Sequence, residues 1–261
     1  MRDLKSVLLC AVLVAGVDSG SARAESGPAA GSGSDTARVH LGAPATASDA
    51  FVAWPEGRGS APAIVVLHEW WGLDAHMRDL ARQLARQGYV AVVPDLYHGQ
   101  VAAEPVRARQ LKDALEEADA FATVDGAVHW LRGQRRTART RIGVVGFCMG
   151  GGIAERYALR TPGLGAVVMF YGQPEADVTR LAGLSAPLQG HFGAEDASIP
   201  LAKVEELRAA LAQAGKPAEI HVYPGAGHAF MHEGRDTYRP DAARQAWARM
   251  LGFFQQHLKG S

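Results

Sequence analysis

Three residues of this chain have the types and placement that acyl chemistry needs: Cys148, Asp196 and His228. Cys148 lies in Gly146-Phe147-Cys148-Met149-Gly150-Gly151-Gly152, after the apolar run 142–147 and before the helix-like stretch 153–159. Strand, sharp turn and helix in that order make a nucleophile elbow of the G-x-S-x-G kind, with cysteine in place of serine. Glycines two before and two after the apex remove Cβ atoms that would collide there. A helix starting at the cysteine directs free N–H groups and its positive dipole end at the sulfur, which favours thiolate over thiol. The other reading of this segment is a buried structural cysteine beside a glycine-rich turn.

Asp196 follows the strand candidate 188–192, and His228 follows the strand candidate 219–223 in Pro224-Gly225-Ala226-Gly227-His228-Ala229-Phe230. Nucleophile, acid and base thus come in the order of an α/β-hydrolase triad, each on a loop just past a strand. His228 is the expected general base and then acid. Asp196 is expected to fix its tautomer and stabilise its charged form. Asp196 could instead only cap the following helix, and Glu195 competes for its role. His228, His232 and Glu233 also allow a metal reading. The loop glycines and Pro224 argue against helical ligand spacing, and no Cys or His cluster elsewhere completes a set, so no metal is expected.

An oxyanion hole requires two N–H donors. The residue after the nucleophile and the loop after an earlier strand supply them, here the backbones of Met149 and Trp70. The indoles of Trp70 and Trp71 line a pocket or fill core. Glu69 is the unusual residue, because a carboxylate beside the elbow would repel a thiolate and hold the thiol protonated until substrate moves it. Alternatively, it pairs with a nearby arginine.

The elements that must position these groups are legible from periodicity. Residues 64–67 and 89–93 are continuous apolar runs, as in strands buried on both faces of a parallel sheet. Between them Asp74 is placed to cap a helix through Arg86, with Met77, Leu80, Ala81, Leu84 and Ala85 on one face. Residues 38–41 and 51–54 suit an antiparallel edge hairpin. Helices are expected over 104–122, 124–131, 200–214 and 240–258, and a strand over 166–171. The arginine-rich segment 133–141 reads as a solvated loop. Alternating strands and helices imply a mostly parallel sheet with its site at the carboxyl ends of the strands.

The 261 residues are 48% hydrophobic and carry 27 acidic and 27 basic side chains, which suits a single α/β domain and gives no sign of nucleic-acid binding. Arg2 and Lys5, the apolar stretch after them and Ala22-Arg23-Ala24 read as a signal peptide over residues 1–24. The apolar stretch is too short to span a bilayer, so no membrane association is expected after cleavage. An exported, periplasmic or secreted protein follows, with residues 25–37 a flexible Gly/Ser/Ala-rich leader and 38–258 the domain. Cys148 is then the only cysteine left, with no internal disulfide open to it.

Five motifs together resemble the dienelactone hydrolase family: His68-Glu69 with Gly72, Pro94-Asp95-Leu96-Tyr97, Gly146 through Gly151, Phe192-Gly193 with Asp196 and Ile199-Pro200, and Gly227-His228-Ala229-Phe230. The resemblance implies an α/β-hydrolase fold and no metal or organic cofactor. It also implies Cys148, Asp196 and His228 as triad and Glu69 as the thiol-controlling glutamate. Trp71, Tyr97, His98, Phe230 and His232 are expected around the substrate, a small ester or lactone met by a monomer or weak homo-oligomer. The chain departs from the family at the two arginines that hold a substrate carboxylate, since Gly99 and His232 stand in their places. His98 or Arg235 could compensate. A rival reading is a non-catalytic or redox-responsive protein with Cys148 as a lone reactive thiol.

Overall fold

A computed structural model describes residues 36–41, 48–57 and 59–259. The expected signal peptide, and the leader up to residue 35, lie outside the described residues. The strands are β1 (Thr36–Leu41), β2 (Ser48–Ala53), β3 (Ala61–Leu67), β4 (Val90–Pro94), β5 (Thr137–Phe147), β6 (Ala166–Phe170), β7 (Leu188–Gly193) and β8 (Ala218–Tyr223). They form one sheet in the order β1-β2-β4-β3-β5-β6-β7-β8. β1 and β2 pair antiparallel at one edge, β2 joins β4 antiparallel, and every other pairing is parallel. The edge hairpin is therefore where the short N-terminal runs placed it. β1 starts at Thr36, so the leader ends two residues earlier than expected.

The continuous apolar strands split their side chains between two cores, as the strand period of two requires. In β3, Ala63, Val65 and Leu67 join one core, while Ile64 and Val66 join the other. The first core is covered by α2 (Pro105–Ala114), α3 (Glu117–Gly133), α4 (Met149–Arg160) and α6 (Leu201–Gln213); Leu181 of the short α5 (Val178–Leu181) also enters it. The second is covered by α1 (Ala75–Arg86) and α7 (Pro240–Phe254). Each fully buried Val, Ile or Leu is worth about 1.5–3 kcal/mol, so the strands cannot slip register without exposing a whole row. α1 buries the five residues its spacing marked, and Asp74 caps it by accepting from Met77 N at 3.0 Å.

Three boundaries differ from the sequence expectation. The 104–131 region breaks at Leu115 and Glu116, both extended, and not near residue 123. Glu117 and Asp119 in the first turn of α3 suit the positive end of its dipole, so the acidic cluster is a helix start. The segment 137–141, expected as loop, lengthens β5, with Thr137 paired to Ala61 beyond a register irregularity. Arg139 and Arg141 in it still face solvent. Helix α5 was not anticipated. Among the described residues no helix is long and apolar enough to cross a membrane.

Candidate active site

Cys148 sits between β5 and α4 with φ 51° and ψ −115°, a strained left-handed backbone for a non-glycine residue. Its neighbours hold it there. Its N–H donates to Phe170 O at 3.0 Å, and its carbonyl accepts from Gly151 N and Gly152 N at 3.0 and 3.3 Å. A Cβ on Gly146 would lie 2.0 Å from Gly150 O, and one on Gly150 would lie 2.4 Å from Leu67 O. Only glycine permits both approaches, so the elbow can press onto the end of β3, one turn of chain before Glu69.

Three strand ends converge on the sulfur. His228 Nε2 is 3.1 Å from Cys148 Sγ, and its Nδ1 is 2.7 Å from Asp196 Oδ2. Asp196 is buried; its other oxygen accepts from Ser198 N and Ile199 N at 2.8 and 3.0 Å. It therefore both closes the turn after β7 and orients the histidine, whereas Glu195 is exposed. Burial, the largest single influence, would raise the Asp196 pKa, but the hydrogen bond and charge of His228 together with the Ile199 and Ser198 N–H groups outweigh it, and the carboxyl is held below its usual value. Burial works against a charged His228, and the bonds to Asp196 and Cys148 overcome it, raising its pKa to about 10. The His228 ring is therefore held towards its protonated form beside Sγ.

Among the described residues Glu69 pairs with no arginine, and both its oxygens are engaged by other side chains. Its Oε2 is 2.6 Å from His232 Nδ1, and its Oε1 accepts from Tyr171 OH at 3.2 Å. Desolvation, the largest single influence, opposes its charge, but His232, His76 and the Tyr171 hydroxyl together hold the carboxyl below its usual pKa. Tyr171, fully buried, is pushed well above its usual pKa by burial first and by Glu69 next, so it stays a hydroxyl donor. Its ring edge meets the His228 ring at 5.2 Å. Sequence reasoning gave Tyr171 no role, although its place at the carboxyl end of β6 was a signal.

Among the described residues, neither the Trp70 nor the Met149 main-chain N–H has an acceptor, which leaves both donors unengaged. Tyr97 OH donates to Met149 Sδ at 3.1 Å. Trp71 packs edge-on to Trp70 at 5.0 Å, and the Arg235 guanidinium lies 3.8 Å above its ring.

Two residues expected around the substrate are buried, and a third is exposed. Phe230 is fully buried among Tyr171, Tyr223 and Phe170, in the core beneath α7. His232 is buried and serves Glu69. His98 is exposed with a positive φ, and nothing draws it to the triad. His228 and His232 turn to different carboxylates, and among the described residues no group of three or more ligating side chains occurs.

The model of the dienelactone hydrolase family matches residues 48–258. The chain belongs to the dienelactone hydrolase family. A Yersinia pestis relative named "Putative carboxymethylenebutenolidase" is 36% identical over 224 residues, covering 80% of this chain and 83% of its own. A Bradyrhizobium relative named "Probable 2-oxo-3-(5-oxofuran-2-ylidene)propanoate lactonase" is 32% identical over 235 residues, covering 85% and 94%. A Klebsiella pneumoniae crystal structure described as "Putative Dienelactone Hydrolase" superposes with a TM-score of 0.80 at 34% identity, covering 85% of this chain and 99% of that one. As a member of this hydrolase family the chain is an α/β-hydrolase enzyme acting on carboxylic esters or lactones.

Proposed function

We propose that this dienelactone hydrolase family member opens a small lactone or ester through a thioacyl-enzyme formed on Cys148. The observation that carries the reading is the unbroken relay from Cys148 Sγ to His228 at 3.1 Å and on to Asp196 at 2.7 Å. The thiolate attacks the acyl carbon, and the N–H groups of Trp70 and Met149 receive the developing oxyanion. Collapse of the tetrahedral species breaks the acyl C–O bond. His228 Nε2–H gives its proton to the departing oxygen, which stays tethered when the substrate is a lactone. Water, deprotonated by His228, then attacks the thioester and frees the acid and the thiol. Asp196 keeps Nδ1–H in place throughout.

The substrate class follows the names of the two relatives, both of which denote enzymes that open a butenolide-type ring. The two family arginines for a substrate carboxylate are absent, with Gly99 offering no side chain and His232 committed to Glu69. The reading therefore favours lactones whose recognition does not depend on a bidentate arginine.

The test is a burst experiment with p-nitrophenyl acetate, followed by intact mass. A stoichiometric burst with an acetyl group on Cys148, lost in Cys148→Ala and after iodoacetamide, supports the thioacyl route. Wild-type turnover in Cys148→Ala sinks it.

A further inference from the structure

Glu69 is anchored at both oxygens, and one of those anchors is itself held by a residue outside the relay. The His232 ring, 6% exposed, lies face to face with the ring of His76, centroids 4.0 Å apart and planes 13° apart. His76 belongs to the first turn of α1, the turn that Asp74 fixes through Met77 N. Its backbone is thus held by α1, 156 residues away in sequence from the ring it supports. An imidazole N–H points within its ring plane, so whatever fixes the plane of His232 fixes the direction in which Nδ1–H reaches Glu69.

We infer that His76 is a positioning residue for the hydrolytic site: by stacking on His232 it keeps Glu69 clamped away from the nucleophile, so that Cys148 can carry its charge. This rests on the reading of Cys148 as the nucleophile. The geometry defines the consequence of loosening the stack. The elbow packs directly on the end of β3, where Gly150 approaches Leu67 O and His68 O, and Glu69 is the next residue. Tyr171 already links Glu69 to His228, with its hydroxyl on one and its ring edge on the other. A carboxylate that loses His232 loses a hydrogen-bond partner and its aim together. It is then a like charge close to the thiolate, and a like charge disfavours ionisation.

The charged and titratable groups around the stack are Glu69, Asp74, Glu233 and the two histidines themselves. Burial first, and His232 next, lower the His76 pKa, so no second cation faces His232 across the stack. His76 also forms part of the wall of a cavity of about 300 Å³ between α1 and α7, with Leu80, Met231 and Trp247. Its buried Nε2 has no hydrogen-bond partner among the described residues. Its ring face, and not a hydrogen bond, is what it contributes.

The measurement is the rate of Cys148 alkylation by iodoacetamide as a function of pH, read by intact mass on the folded full-length protein. It needs no substrate, so it stands apart from the turnover of Cys148→Ala, which tests the nucleophile itself. His76→Ala is expected to move the midpoint of the profile up by about half a unit or more, as a nearby unmatched carboxylate does. His76→Phe, which keeps an aromatic face, is expected to restore the wild-type midpoint. Adding Glu69→Gln to His76→Ala is expected to cancel the shift, since no charge is left to misplace. If His76→Ala lowers the melting temperature but leaves the midpoint in place, the stack is only structural and the inference is overturned. A shift that persists in the Glu69→Gln background overturns it equally, because the effect would not pass through Glu69.

Discussion

Asp196 holds His228 with one carboxylate oxygen, Oδ2 to Nδ1 at 2.7 Å, and closes its own turn with the other, which accepts two main-chain N–H groups. That division of labour decides what the isosteric amide would do. In Asp196→Asn the amide oxygen belongs with Ser198 N and Ile199 N, which can only donate. The NH₂ group then faces His228 Nδ1 and donates to it, so the ring's proton moves to Nε2 and no lone pair is left for the thiol. The expected loss in kcat is about 10³- to 10⁴-fold, on the scale of the same change in serine-type triads. The fold should be retained. Circular dichroism with steady-state kinetics checks both, and an activity within tenfold of wild type would show that Asp196 is a cap only.

Gly150 supports the elbow by close approach. An added Cβ would meet Leu67 O at 2.4 Å and His68 O at 2.6 Å, both main-chain atoms of the strand end that leads to Trp70. Neither moves without shifting β3. Gly150→Ala gains about 1 kcal/mol of helix propensity and loses more to overpacking, which costs about 1–3 kcal/mol. A fall in melting temperature is expected, with a larger fall in kcat because the Trp70 and Met149 N–H groups are driven apart. A stabilised, fully active Gly150→Ala would contradict the packing.

How much of this was legible without coordinates follows from the range of each signal. Cys148, Asp196 and His228 are marked locally, each by a strand candidate that ends in a turn, and parallel-sheet topology brings such ends together. Glu69 stood out as a carboxylate in the loop after an apolar run, but its partners are 163 and 102 residues away and no periodicity encodes them. His232 stood where the family has a substrate-binding arginine, so it was read as facing substrate. In the structure its Nδ1 is engaged by Glu69. Nothing in the sequence around His76 marks it, and its ring neighbour His232 comes from a loop 156 residues away. The break at Leu115 has no local signal, because residues 106–125 contain neither glycine nor proline.

Phe230, expected around the substrate and two residues beyond His228, is fully buried. Its ring lies 5.4 Å from Tyr171 and 5.2 Å from Tyr223. Phe230→Leu is expected to reduce stability by about 1–2 kcal/mol, at the mild end of large-to-small core changes, and to leave KM within twofold. Chemical denaturation and KM for the best ester substrate separate the two roles. A several-fold KM change at unchanged stability would return Phe230 to the pocket.

Glu155 on α4 makes a prediction about pH. It is fully buried, its Oε2 accepts from Glu175 N at 2.8 Å, and its Oε1 has no partner among the described residues. Desolvation raises its pKa from 4.5 to about 8, with the Glu175 N–H bond acting in the opposite direction. The folded state thus binds a proton that the unfolded chain releases near 4.5, so this group's contribution is complete below that pH. Stability then declines as pH rises from about 4.5 toward about 8, because the unfolded state holds fewer protons across that window, and the decline ends once the folded state also ionises. Glu155→Gln keeps an acceptor for Glu175 N and cannot ionise. The difference in melting temperature between variant and wild type should widen in the variant's favour between pH 5 and pH 8 (roughly the window set by linkage) and then level off. His228 titrates in both proteins and cancels from that difference. A difference that stays flat across the window would mean that Glu155 is ionised in the folded protein, with a counter-charge that its surroundings do not otherwise require.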